Sequence, residues 1–278
     1  MLTVAELKNL FLKYSFRPLK RLGENYLIDA NIKDKIISRA GISGKDTVLE
    51  IGPGFGALTM DLSASGAEVY AVEKDKKAFA ILKELAGDRF PNLKLINGDI
   101  LKFDIGGTIG NKRIKVIGNL PYYITSPIIE YIIGNKRSVR SALIMVQKEV
   151  ASRILAGAGT KEYSSLSCFV RYHTNARYIH TIKRSSYYPE PEVDSSLIEL
   201  AILDKPSVDV KDEELLFRII RGSFNQRRKS IINSLSRKEV LDKPKAEIAA
   251  ILGRAGIDPS ARPETLGLAE FARLANLF

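Results

Sequence analysis

The sequence predicts an α/β fold, a mostly parallel sheet with helices on both faces, followed by a small all-helical C-terminal domain. Three observations predict it. Short apolar strand patterns alternate with helical ones from Thr47 to Ala156. Gly66 and Gly87 close two of the helices where a left-handed residue is wanted. Beyond about residue 204 the periodicity is helical only.

In chain order, "TVLEI" (Thr47–Ile51) reads as a buried strand and Ala57–Gly66 as a helix. "EVYAVE" (Glu68–Glu73) is a second strand, and Lys76–Gly87 a second helix. Leu93–Gly98 and "IKVIG" (Ile114–Gly118) are the third and fourth strands. Ser126–Ile133 reads as a helix with Ser126 as N-cap and Pro127 at its first position. Ser141–Val146 is a fifth strand, Gln147–Ala156 a helix, and Ser195–Leu203 a last strand. "DKPSVDVKD" (Asp204–Asp212) reads as a linker. The expected domains are therefore 1–203 and 204–278.

The chain has 278 residues, enough for a large domain and a smaller one. Lys and Arg total 43 against 32 Asp and Glu, a net charge of +11 that suits a polyanionic partner, nucleic acid or an anionic membrane. Cys168 is the only cysteine, which excludes an intrachain disulfide and a cysteine-rich zinc site. His173 and His180 are the only imidazoles, without metal-site spacing, so no metal is expected. The N-terminal stretch carries charges within its apolar run and does not read as a signal peptide. No run approaches the ~18 apolar residues of a membrane span. A cytoplasmic protein, with nothing demanding more than a monomer, is the expectation.

"LEIGPGFGALT" (Leu49–Thr59) sets Gly52, Gly54 and Gly56 directly after the first strand, where backbone can approach a ligand beside a helix N-terminus. The third glycine comes one residue too early for the dinucleotide fingerprint. With Glu50 before it, the spacing suits a nucleoside better than a pyrophosphate. Glu73 ends the second strand, placed to accept from two ribose hydroxyls. Together they still do not separate a dinucleotide from an adenosyl sulfonium. Asp99, in "NGDIL", is placed to accept from an adenine amine; a Gly-Asp turn explains it equally well.

"GNLPYYITSP" (Gly118–Pro127) is an odd strand exit: an amide, a rigid turn and two aromatic rings. Asn119 projects over the carboxyl ends of the sheet. An exocyclic amine has its lone pair delocalised into its ring. The Asn119 carbonyl and a backbone carbonyl held by Pro121 can accept its two N–H bonds and favour a tetrahedral nitrogen. Tyr122 can stack on the base. That is positioning with local electrostatics and needs no strong base.

The ordered set of stretches resembles the ribosomal RNA adenine N6-dimethyltransferases of the small subunit. "LGENYLID" (Leu22–Asp29), "LEIGPGFGALT", "AVEKD", "NGDIL", "NLPYYITSPII", "TKEYSSLS" (Thr160–Ser167), "YYPEPEVDSSLI" (Tyr187–Ile198) and "FNQRRKSIINSL" (Phe224–Leu235) carry the resemblance over nearly the whole chain. It implies a Rossmann-like class I methyltransferase sheet and S-adenosylmethionine as cofactor. The implied substrate is a pair of adjacent adenosines in the 3′-terminal hairpin of small-subunit RNA, each receiving two methyls. Asn25, Leu27, Gly52, Glu73, Asp99 and Asn119 would line the cofactor site. Asn119, Leu120, Pro121 and Tyr122 would form the catalytic segment, and Tyr187 would close the other face of the base.

The chain departs from the family pattern at Glu24 (for Gln), Tyr26 and Tyr187 (each for Phe) and Glu192 (for Lys). Three other readings compete. A large-subunit resistance methylase shares the cofactor logic, but "NLPYYITSPI" and "YYPEPEVDSS" match the small-subunit branch. An assembly or transcription factor without catalysis conflicts with an intact Asn119–Tyr122 segment. An NAD-dependent oxidoreductase conflicts with the glycine spacing.

Phe16–Gly23 and Phe224–Ser230 set Arg and Lys beside aromatics, as an RNA surface does; a solvated helix face is the default for each alone. Arg227 and Arg228 are the candidate phosphate contacts. Replacing both by Ala should weaken RNA binding and flatten the log K against log salt slope by about one per arginine. An unmoved slope, measured by filter binding across a salt series, would return them to the solvated face.

Overall fold

The computed structural model describes residues 2–18, 25–226 and 228–278. Arg227 and Glu24 therefore lie outside the described residues. Helix α1 (Val4–Lys13) opens on a reciprocal cap between Thr3 and Glu6. Strand β1 (Tyr26–Leu27) and helix α2 (Ala30–Ala40), capped by Asp29, follow. The alternating region holds β2 (Thr47–Ile51), α3 (Thr59–Ala64), β3 (Glu68–Glu73), α4 (Lys76–Ala86) and β4 (Leu93–Asn97). It continues through α5 (Ile105–Ile109), β5 (Ile114–Asn119), α6 (Thr125–Gly134), β6 (Val139–Gln147) and α7 (Lys148–Leu155). Then come α8 (Ser165–His173), β7 (Thr174–Ile182), β8 (Tyr187–Tyr188) and β9 (Ser195–Ile202). Helices α9 (Glu213–Phe224), α10 (Ile231–Leu235), α11 (Lys245–Arg254) and α12 (Leu268–Ala275) end the chain.

The main sheet has seven strands in the order β4-β3-β2-β5-β6-β9-β7. Neighbours from β4 to β6 are parallel, and β9 runs antiparallel to β6. All five residues of β2 are buried, as a central strand covered on both faces requires. The strand order reverses between β2 and β5. The crevice at their carboxyl ends is where an open α/β sheet receives a ligand. β1 pairs with β8 in a separate ribbon, Leu27 opposite Tyr187.

By contact the chain forms two compact units, Met1–Ala151 with Arg177–Ile202, and Ser152–Ala176 with Leu203–Phe278. The expected linker at 204 is one of the crossings. Ser152–Ala176 nonetheless goes with the C-terminal helices, because Tyr163, Cys168 and Tyr172 supply apolar surface to Leu216, Ile220 and Phe271. Sequence periodicity does not reveal which core an apolar face joins.

Helix α6 starts at Thr125, and Ser126 is not its N-cap. A 3-10 turn over Tyr122–Ile124 runs straight into the helix, and Thr125 Oγ1 donates back to the Pro121 carbonyl at 3.2 Å. Pro127 then sits in the first turn, where a missing N–H leaves no helical bond unmade.

Gly118 allows the close approach of β5 to β2: a Cβ there would lie 2.6 Å from the Ile51 carbonyl oxygen. Gly118→Ala must therefore push the two central strands apart. It should cost about 1–3 kcal/mol and lower the melting temperature by several degrees, read by calorimetry.

Candidate active site

A cavity of 350 Å³ opens at the carboxyl ends of β2, β3 and β5, beside the turn after β4. Asn25, Gly52, Glu73, Asp99, Asn119 and Pro121 all line it, and Leu27 joins them. The glycine turn is bent as its sequence requires, with φ of +64° at Gly52 and +57° at Gly54. A side chain at Gly54 would meet the Tyr26 ring at 2.9 Å. That ring stacks on Phe55 at 4.5 Å, and Phe11 and Phe16 pack around the pair, so the loop is clamped from outside.

Glu73 is held on both oxygens. Oε2 accepts from the Gly54 amide at 3.0 Å and Oε1 from the Asp75 amide at 2.8 Å. Burial raises its pKa against the pull of these amides. Asp99 accepts from the Leu101 amide at 3.0 Å and pairs with Lys74 at 2.9 Å; the ammonium chiefly lowers its pKa. Glu50 is wholly buried, and burial pushes its carboxyl up to about 8, so it is largely neutral at pH 7. Its Oε2 has no hydrogen-bond partner among the described residues.

Asn119 ends β5. Its Nδ2 donates to the Asn25 carbonyl at 3.0 Å, which fixes the amide orientation. Its Oδ1 is buried yet without a partner among the described residues. An unmet buried acceptor in a cavity wall is costly unless a ligand supplies the donor. The Pro121 carbonyl is engaged by the Ile124 amide and the Thr125 hydroxyl. The Pro121 carbonyl is thus taken up within its own turn, and the Leu120 side chain before it is buried.

Three expected site residues lie outside the cavity wall. Leu120 and Tyr122 are outside the cavity wall, and the half-buried Tyr122 meets the Ser195 hydroxyl at 2.8 Å. Tyr187 is 2% exposed and packed in the core with Leu27, Met145 and Leu197. The ring expected to stack on a base is thus a core ring. Arg228, expected as a phosphate contact, is exposed. Phe16 is buried in the loop clamp, and Phe224 packs against the Tyr163 and Phe271 rings, so neither basic segment offers its aromatic for stacking. Sequence reasoning missed Lys74, Met145 and the half-exposed Tyr123, all in the wall, and the contribution of Leu2 and Leu7 from the α1 end. The doubled tyrosine was the one signal available for Tyr123. Among the described residues no group of three His, Cys, Asp or Glu is placed to hold a metal, and no helix is long and apolar enough to cross a membrane.

A mostly parallel sheet with this switch-point cavity, a glycine turn tied to a carboxylate and an unmet amide acceptor is the architecture of a class I methyltransferase, as in the solved structures it resembles. The model of the ribosomal RNA adenine dimethylase family matches residues 16–277, and the chain belongs to that family. It is 42% identical over 273 residues to the ribosomal RNA small subunit methyltransferase A of Alkaliphilus oremlandii, covering 97% of this chain and 94% of the relative. It is 44% identical over 270 residues to the protein of that name from Clostridium botulinum, covering 97% of each. Among solved structures it resembles a dimethyladenosine transferase from Plasmodium falciparum (TM-score 0.78, 27% identity, 90% of this chain and 95% of that one). It also resembles the 23S rRNA methyltransferase ErmE (TM-score 0.70, 25% identity, 90% and 98%). The methyl donor is S-adenosylmethionine, and the cavity's backbone cradle, carboxylates and orphaned acceptors fit a group rich in donors.

Glu50 gives a pH signature. A carboxyl at about 8 in the fold and 4.5 outside it means the folded state binds more protons between those values. Its contribution to stability is complete below the lower value and is lost as pH rises through the upper one, by up to about 1.4 kcal/mol per unit. Glu50→Gln should therefore flatten the fall in melting temperature between about pH 5 and 8. Parallel wild-type and variant curves would show that Glu50 is ionised in the fold.

Proposed function

We propose that this protein transfers methyl groups to N6 of two adjacent adenosines in the 3′-terminal hairpin of small-subunit ribosomal RNA. Each becomes dimethyladenosine, and the step serves small-subunit biogenesis in the cytoplasm, with the protein acting as a monomer. The observation that carries the reading is the unmet Asn119 Oδ1, fixed as an acceptor by the bond from Nδ2 to Asn25. The names of the relatives support the small subunit over the large.

Gly52 and the glycine turn cradle the cofactor by backbone, Glu73 accepts from its ribose, and Asp99 accepts from its adenine amine once Lys74 yields. Asn25 and Leu27 close the entrance side. S-adenosylmethionine, when bound, supplies an electrophilic methyl on a sulfonium sulfur. Asn119 Oδ1 and the Leu120 carbonyl accept the two N–H bonds of the target amine, which turns its lone pair from the ring toward the methyl. Tyr122 holds the plane of the base, and Pro121 keeps the Leu120 carbonyl in place. A hairpin-loop adenosine is cheap to extrude, which eases its access to the site. Arg227 and Arg228 neutralise phosphates of the RNA.

Asn119→Ala should lower methyl transfer to undermethylated small subunits by at least about 10²-fold, while calorimetry still detects cofactor binding. Labelled methyls would be counted and mapped by nuclease digestion and mass spectrometry. Retained turnover would sink the role of Asn119. Wild-type transfer to large-subunit RNA alone would overturn the substrate.

A further inference from the structure

Tyr187 stands where the family pattern has Phe, and its hydroxyl is the part of it that the family does not explain. The ring is core, paired through β8 with Leu27 on β1. The hydroxyl donates to Met145 Sδ at 3.6 Å, and it also interacts with the hydroxyl of Ser195. Ser195 is fully buried, and its Oγ lies 2.8 Å from the Tyr122 hydroxyl. Met145 lines the cavity and sits opposite Asn119 in the β5–β6 ladder, and its carbonyl accepts the Leu120 amide at 3.0 Å. One buried hydroxyl thus touches both supports of the catalytic segment: the strand residue behind Asn119 and Leu120, and the serine that holds Tyr122.

The donors and acceptors fall into a single order. Tyr187 O–H donates to Met145 Sδ, which leaves Tyr187 Oη to accept from Ser195 O–H, and Ser195, with one proton to give, then accepts from Tyr122 O–H. Each hydroxyl donates once, and the last acceptor is a thioether that can only accept. A chain of this kind inside a dry core is all-or-none in effect, since losing one member leaves a neighbour's group unmet.

We infer that Tyr187 is a positioning residue of the methyl-transfer site, acting through Ser195 and Met145 to fix the Tyr122 ring and the Asn119–Leu120 acceptors, and not a stacking surface for the base. The inference rests on the reading that Tyr122 holds the target adenine.

The test compares Tyr187→Phe, Tyr187→Leu, Tyr122→Phe and Tyr122→Leu on undermethylated small subunits. Tyr187→Phe keeps the ring and removes only the hydroxyl. It should lower kcat roughly three- to tenfold, as a small misplacement of reacting groups does, with cofactor affinity and KM for the subunit unchanged. Tyr122→Phe combined with Tyr187→Phe should cost no more than the worse single variant, because both break one chain. A purely structural hydroxyl would lower the melting temperature and leave kcat intact. A stacking ring would leave Tyr187→Phe at the wild-type rate and disable Tyr187→Leu. Either pattern, or additive losses in the double variant, overturns the inference. Wild-type turnover in Tyr122→Leu would instead overturn the base-holding reading beneath it. A 2-aminopurine placed at the target adenosine gives an equilibrium check. The protein has no tryptophan, so the fluorophore is read cleanly. Its quenching on binding should persist in Tyr187→Phe with a broadened lifetime distribution; a distribution unchanged from wild type counts against a loosened Tyr122.

Discussion

A hydrogen bond from Asn119 Nδ2 to the Asn25 carbonyl decides which end of a side-chain amide faces the cavity. A carbonyl oxygen can only accept, so the nitrogen must turn toward Asn25 and Oδ1 toward the ligand. Much of the molecule serves to bring those two residues together. β5 delivers Asn119 to the end of the central strands, and Gly118 lets β5 lie close enough to β2 for the glycine turn to share the crevice. The β1–β8 ribbon sets the chain just after Asn25, and the Asp29 carboxylate bonded to Ser186 at 3.0 Å closes the other side of that ribbon. The aromatic clamp of Phe11, Phe16, Tyr26 and Phe55 ties the same segment to the glycine turn. A backbone carbonyl 94 residues away in sequence thereby becomes part of the site.

The electrostatics follow from where each carboxyl stops being solvated. Four acids line the cavity; Asp61 is paired with Lys33, and three environments set the protonation of Glu50, Glu73 and Asp99. Glu50, inside the central strand, is largely neutral because burial outweighs the pull of Thr59 and leaves Oε2 without a donor. Glu73, one strand over, is nearly as buried but receives backbone amides on both oxygens. Asp99 is the most accessible and carries its own cation, Lys74. The wall is therefore graded from neutral to ion-paired across the cavity. Such a gradient suits a ligand whose cationic centre must be held without being trapped by a buried opposite charge, since an unshielded carboxylate near a sulfonium would stabilise the ground state as much as the transition state.

Much of this was legible in the sequence. β2 and β3 have the expected bounds because both are short apolar runs between strong turn signals. The glycine turn, Glu73, Asp99 and Asn119 converge as their places after successive strands demand. Other elements left no usable trace. β7 reads "TNARYIHTI", and with polar and charged residues on an edge strand the alternation is blurred. β1 and β8 are two residues each and exist only because they pair with one another. The sequence of α1 shows an apolar face but not its partner, which is the loop clamp. Pairing partners and core membership depend on distant chain, which a local pattern does not contain.

The aromatics show the same limit in its sharpest form. A ring beside basic residues, or after a catalytic amide, reads in sequence as a stacking surface, because RNA recognition uses rings that way. Phe16, Phe224 and Tyr187 each satisfy that pattern, and each is packed against protein instead. Burying a ring removes a large apolar area from water, a gain available at once on folding, whereas stacking on a base returns only when RNA is bound. A ring stays exposed where neighbouring groups leave no apolar surface for it. Tyr123, beside the Lys74–Asp99 pair at the cavity wall, is such a ring. The constraint that decides between core and contact is thus the polarity of what surrounds the ring, and it is set by the fold before any ligand arrives.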